Sequence, residues 1–288
     1  LRVVSGRVIL TDGAWGTELQ ALGLGPDELP DLWNLAHPER VEQVARAYVE
    51  AGSEIILTNT FRANRLGAGG RILPPALAEV NRAGVEISRR AAAGRARVFA
   101  SIGPSGKLLI EGAVTEDELR AAFSEQAEAL CAAGADGLLI ETMSDLTEAA
   151  IAVAAAKATG LVVVASMVFD SGKNRDRTMM GVSPEQAAEA LAAAGADVIG
   201  ANCGNGIAAY VPICARLRAA TGLPVWIKPN AGLPELEAGR VVYRTSPEEF
   251  ARHVPELVRA GANYIGGCCG TNPAFIRAAR AALERACA

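Results

Sequence analysis

Eight times along the chain, a short apolar run rich in β-branched residues is followed by an alanine-rich stretch with apolar residues three and four apart. The strand-like runs are RVILTD (7–12), EIILTN (54–59), VFASIG (98–103), GLLIET (137–142), VVVASMV (162–168), DVIGANC (197–203), PVWIKPN (224–230) and NYIGGCC (263–269). Short apolar runs bounded by turn residues read as buried strands, and the three-and-four spacing marks one buried helix face. Punctuation agrees. PERVEQVARAYVEAG opens on Pro38 and closes on Gly52, while SPEQAAEALAAAGAD and SPEEFARHVPELVRAGAN each supply a Ser cap, a Pro, an acidic first turn and a closing Ala-Gly-Ala. Strands joined through helices run parallel. Eight such units in 288 residues predict one (β/α)8 barrel, a single domain over 1–288. An open doubly wound sheet usually has fewer strands and a Gly-rich phosphate turn, but the first turn here, DGAWGTELQ (12–20), is not GxGxxG.

Composition narrows the function classes. At 50% hydrophobic residues the chain can bury a large core, so disorder is excluded as its main state. A net charge of -4 argues against nucleic acid, which calls for a basic face. Residues Leu1–Leu10 lack the apolar stretch and cleavage site of a signal peptide. The longest apolar region, Ala149–Phe169, contains Lys157 and Thr159-Gly160, and reads as a helix, a break and a strand rather than a membrane span. Six cysteines in 288 residues are too few for a disulfide scaffold. The expectation is a cytoplasmic protein with reduced thiols.

A barrel of this kind carries its chemistry at the carboxyl ends of its strands. Those ends hold Asp12-Gly13, Thr58-Asn59, Ser101 to Pro104, Glu141-Thr142, Cys203, Lys228 to Asn230 and Cys268-Cys269. Cys131, Cys214 and Cys287 fall in helical stretches and read as small buried hydrophobes. Cys203 ends strand 6 and Cys268-Cys269 end strand 8, with one strand between them, roughly 10 Å backbone to backbone. Side-chain reach and metal–sulfur bonds of about 2.3 Å close that gap. Adjacent strand residues point to opposite faces, so the vicinal pair can share an ion only if the backbone turns irregular; Gly266, Gly267 and Gly270 permit that. Three sulfurs with one exchangeable position read as a catalytic zinc site. His37, before a helix, and His253, within one, read as structural or exposed, and there is no HExxH.

These blocks carry a resemblance. ANCGNG (201–206), KPNAGLP (228–234) and IGGCCGTNP (265–273) resemble the signature of the homocysteine S-methyltransferase family, and TDGAWGTELQ (11–20), LTNTF (57–61) and ETMSD (141–145) resemble its other blocks, in order. Within the family the pattern is closer to the homocysteine-binding module of cobalamin-dependent methionine synthase than to the betaine-using branch. The resemblance implies a barrel with zinc on Cys203, Cys268 and Cys269, transferring a methyl group to homocysteine.

On that reading the rim suits an amino acid. Glu141, helped by Asp12, pairs with the ammonium, and the amides of Gly13 and Ala14 meet the carboxylate. Asn230 can fill the fourth zinc position until substrate arrives; a loop-capping hydrogen bond is its other reading. The donor is open. No D-x-H-x-x-G corrinoid motif occurs, so a corrinoid would come on a separate protein. A quaternary ammonium would want an aromatic cage, to which Trp15 and Phe61 offer two rings. A sulfonium such as S-methylmethionine is the third option. Two other functions compete: a Schiff-base lyase using Lys228, which leaves the thiols unexplained, and a non-catalytic zinc- or thiol-binding protein, which needs neither Glu141 nor Asp12.

Overall fold

The computed structural model describes residues 7–71, 74–237 and 240–286. Cys287, and residues 1–6 of the segment read for a signal peptide, lie outside the described residues. The eight expected strands form: β1 Ile9–Leu10, β2 Ile55–Leu57, β3 Arg97–Ile102, β4 Gly137–Met143, β5 Val162–Met167, β6 Val198–Cys203, β7 Val225–Pro229 and β8 Ala262–Ile265. They pair in the order β1-β8-β7-β6-β5-β4-β3-β2, every pair parallel. A parallel bridge between Thr11 and Ile55 and the bond from Glu54 N–H to the Leu10 carbonyl at 2.8 Å bring the two ends together as a (β/α)8 barrel.

Side chains fill the lumen. Ile55, Leu57, Phe99, Leu139, Val164, Val198, Trp226 and Tyr264 make one buried cluster inside the barrel. The Trp226 ring lies 6.2 Å from Phe99 and 5.2 Å from Tyr264, centroid to centroid. Gly200 makes this possible: a Cβ there would stand 2.2 Å from the Trp226 carbonyl oxygen. Truncating one of these rings should cost about 3–5 kcal/mol. A packed lumen confines open space to the strand ends.

Helix starts follow the sequence signals. Ser183 and Gln186 form a capping box, as do Thr115 and Glu118, and Asp145 caps Leu146–Lys157; each cap contributes about 1 kcal/mol. Pro38–Ala51 closes on Gly52 at φ 103°, a left-handed position that favours glycine. Two details differ from expectation. The stretch after Ser246 divides into Pro247–Arg252 and Val254–Arg259, so His253 sits at a joint rather than inside a helix. Pro255 lacks the N–H that would continue the ladder. The β7-to-β8 connection also carries an antiparallel hairpin, Glu235–Glu237 with Arg240–Val242. Among the described residues no helix is long and apolar enough to cross a membrane.

Candidate active site at the carboxyl ends of the strands

A cavity of about 320 Å³ opens at the carboxyl ends of the strands. Cys203, Cys268 and Cys269 line one side; Gly13, Ala14, Trp15, Thr58, Asn59, Phe61, Ser101, Glu141 and Lys228 are among the residues completing it.

Backbone hydrogen bonds fix the thiol side. β6 pairs with β7 up to Cys203 opposite Pro229. Beyond it Asn230 N–H donates to the Cys203 carbonyl at 3.1 Å, Cys268 N–H to Pro229 at 2.8 Å, and Ala231 N–H to Cys269 at 2.9 Å. The segment 229–231 thus ties both cysteine-bearing loops. β8 pairing ends at Ile265, so Cys268 and Cys269 follow the strand in a loop rather than ending it. That irregularity lets neighbouring residues face one point. Gly266 is required there, because a Cβ would meet Thr11 Oγ1 at 2.0 Å. Cys203 itself is left-handed, at φ 62°.

The three sulfurs lie within 4.8 Å of one another, with Cys203 Sγ and Cys268 Sγ 3.1 Å apart. Hydrogen bonds from Cys203 and Cys268 hold the Cys269 thiol down at about 3. Cys203 is pushed well up by donating to Cys268 and Cys269 and by burial. Cys268 is lowered by Cys203, but donation to Cys269 and burial outweigh that and push it up to about 12. The trio therefore holds one negative charge readily and resists more, which is the donor set a divalent cation completes. Sulfurs around a tetrahedral zinc stand about 3.8 Å apart, so the trio fits it with a slight opening of the Cys203–Cys268 pair. Asn230 adds a second sign of fit: its Nδ2 donates to the Gly204 carbonyl at 3.0 Å, while its buried Oδ1 has no hydrogen-bond partner.

Buried charges stand beside the thiols. Glu141 accepts from Ser101 Oγ, and burial raises it to about 7 against the lowering effect of Lys228. Asp12 is fully buried and does not line the cavity. Its Oδ2 accepts from Leu57 N–H at 2.7 Å and Trp15 Nε1 at 2.8 Å, and its Oδ1 pairs with Lys228 Nζ. Asp12 therefore reaches the cavity through Lys228 and Trp15. Ala14 N–H donates to Thr271 Oγ1 at 3.2 Å, so one amide expected to face substrate has a protein partner.

The structure thus brings Cys203, Cys268, Cys269, Glu141, Gly13, Ala14, Trp15 and Phe61 to one cavity, with Asn230 beside the thiols and Asp12 behind the wall. Cys131 and Cys214 stand in helices. Sequence reasoning missed Asp31, a buried carboxyl on the cavity wall raised by burial to about 6. It missed Tyr243, whose ring fills the space that Gly270 leaves open, and the hydrogen-bonding role of Asn202. Asn202 alone had a signal, as the neighbour of Cys203.

A closed parallel barrel that brings three thiols and a buried carboxylate to one cavity at its strand ends belongs with the (β/α)8 barrels that carry their chemistry there. The chain belongs to the homocysteine S-methyltransferase family, whose model matches residues 9–283. It is 33% identical over 302 residues to methionine synthase of Mycobacterium tuberculosis, covering 98% of this chain and 25% of that one. Methionine synthase of Mycobacterium leprae is 31% identical, covering 99% and 25%. The chain spans about a quarter of the length of these curated relatives. The homocysteine methyltransferase MmuM of Escherichia coli, in its metallated form, superposes with a TM-score of 0.79 at 25% identity over 96% of each chain.

Proposed function

We propose that this chain binds homocysteine and passes to its sulfur a methyl group from an activated donor, giving methionine. One observation carries the reading: three convergent thiols and a buried carboxylate line one cavity large enough for an amino acid. The names of the methionine synthase relatives and of MmuM support it.

Cys203, Cys268 and Cys269 would hold zinc, with Asn230 Oδ1 in the fourth position until substrate arrives. A zinc ion held there would supply the charge that lets a substrate thiol ionise at neutral pH, although the free thiol titrates near 8.5. Glu141 takes the substrate ammonium, and the Gly13–Ala14 turn takes the carboxylate. Asp12 holds Lys228 and Trp15 in place behind them. Trp15 and Phe61 wall the cavity against water. An electron pair of the substrate sulfur forms the new S–CH3 bond, and the donor's leaving group departs with the pair of the broken bond.

A macromolecular donor such as a methylated corrinoid protein is favoured over a free sulfonium. Ile110, Met179, Leu233, Leu236 and Val241 are exposed, and all lie in connections that follow barrel strands on the cavity face. Exposed apolar side chains around the cavity face suit a macromolecular donor. The free thiols suit the cytoplasm. The lyase reading loses support because Lys228 is the counter-ion of Asp12 rather than a free amine.

The deciding experiment supplies the zinc-loaded protein with homocysteine and, in turn, methylcobalamin, a methylated corrinoid protein, S-methylmethionine and betaine. Methionine formed fastest from a corrinoid donor is the expected result. No methionine from any donor would overturn the methyltransferase reading.

A further inference from the structure

We infer that Asn202 is a positioning residue that couples the metal-holding thiols to the ammonium-binding carboxylate. The inference rests on the metal site proposed above. Asn202 is fully buried in β6, one residue before Cys203. Its Oδ1 accepts from Thr142 N–H at 2.9 Å and from Ser166 Oγ at 2.7 Å. Its Nδ2 donates to Thr142 Oγ1 at 2.7 Å and to Cys268 Sγ at 3.9 Å. One carboxamide therefore grips the N–H and the hydroxyl of the residue after Glu141 and also touches a thiol of the trio.

Backbone conformation gives the grip its purpose. Thr142 sits at φ 62°, a region that a β-branched side chain avoids. Such a residue stays there only when its surroundings over-determine it. Two hydrogen bonds with Asn202, one accepted from Thr142 N–H and one donated to its hydroxyl, supply that, and Cys203, next to Asn202 in the chain, is at φ 62° as well. One strained position follows Glu141 and the other is Cys203 itself, so both working groups rest on left-handed backbone. The Asn202 carbonyl is fixed in turn by Tyr210 Oη at 2.7 Å. The N–H donated to sulfur orients the Cys268 thiolate and draws charge from it, as hydrogen bonds to metal ligands do.

Two variants separate the two ends of this link. Asn202→Asp keeps an acceptor for Thr142 N–H and Ser166, and the Thr142 hydroxyl can reverse to donate to the second oxygen. It loses only the donor to sulfur and places an anion there. Asn202→Ala loses both ends. Cobalt(II) is the probe, read by its sulfur-to-cobalt charge-transfer band and by chelator competition, with homocysteine binding followed through the change in that band. In Asn202→Asp the band should shift and cobalt affinity fall on the order of 10–100-fold, while homocysteine affinity of the loaded protein stays within about threefold of wild type. Asn202→Ala should weaken cobalt and, at saturating cobalt, weaken homocysteine tenfold or more. Circular dichroism confirms the fold of each variant. A wild-type band and affinity in Asn202→Asp, or unaltered homocysteine binding in Asn202→Ala, would overturn the coupling while leaving the metal site standing. A wild-type protein without any thiolate–cobalt band would overturn both.

Discussion

The two walls of the cavity are made by different physics. The thiol wall is a backbone construction: residues 229–231 bond to both cysteine loops, and glycines admit the turns. Its ligands are half-buried and their geometry is set by main-chain pairing. The carboxylate wall is a side-chain construction. Asp12, Lys228 and Glu141 are buried ionisable groups held by Trp15, Ser101 and the Leu57 amide. The first wall should therefore fail in function and survive in fold, and the second should couple function to stability.

The largest effect tests the thiol wall. Replacing Cys203, Cys268 or Cys269 with Ala should abolish metal binding and methyl transfer together. The melting temperature of the metal-free protein should barely move, since none of the three belongs to the buried core. Elemental analysis beside a thermal melt checks it; full zinc occupancy in all three variants would remove the thiols as ligands.

Next comes the ion pair of the other wall. Asp12→Asn leaves the Lys228 ammonium buried without its counter-charge, and Lys228→Met strands Asp12. Each single change should destabilise by about 3–5 kcal/mol, whereas the double change should recover much of that loss. Denaturant titrations of the four proteins decide it. Additive single effects would mean the pair is not coupled.

The asymmetry also explains what sequence could reveal. All eight strands were legible because β-rich runs and alanine-rich helices alternate with clear punctuation. The thiol wall was legible because a vicinal Cys pair among glycines and a Cys at a strand end declare themselves. The carboxylate wall was only half legible. Glu141 lies on a strand end, but nothing in the text of the chain says that Asp12 turns away from the cavity to pair with a residue 216 positions on. Asn202 could be listed only as a neighbour of Cys203, because its partners Thr142 and Ser166 come from two other strands. The hairpin at 235–242 escaped because both its strands are three residues long.

Glu141→Gln gives a smaller, two-signed effect. Loss of the charge should weaken homocysteine binding by about 2 kcal/mol or more, roughly 30-fold, as for truncation of one partner of a buried charge pair. Stability should move the other way. Burial raises Glu141 from 4.5 to about 7, so its favourable contribution is present below about 4.5 and is lost as pH rises through 7. At pH 8 the ionised carboxylate costs at most about 3 kcal/mol. The variant should melt higher than wild type at pH 8, with the gap closing toward pH 4.5. A gap that widens toward acid would show that Glu141 is not a buried charge in the folded protein.

The smallest effect is a count of protons, and it reads both walls at once. Homocysteine bound as a thiolate gives up its thiol proton, and an ammonium placed on Glu141 favours the carboxylate and expels the proton held there below pH 7. At pH 6.5 the thiol contributes about one proton and Glu141 roughly 0.8 more. At pH 8 Glu141 is already ionised, and the thiol alone contributes about 0.8. Wild-type release, measured by calorimetry in buffers of different ionisation enthalpy, should therefore fall by about half from pH 6.5 to 8. Glu141→Gln should release about one proton at pH 6.5 and about 0.8 at pH 8. X-ray absorption on the zinc-loaded protein should show three sulfurs becoming four as homocysteine binds. A variant that matches wild type at pH 6.5 would remove Glu141 as the ammonium partner. A wild-type protein releasing no proton, with its shell fixed at three sulfurs, would make the zinc structural and leave activation of the substrate thiol to a carboxylate of the cavity wall, Glu141 or Asp31, since neither histidine lines it.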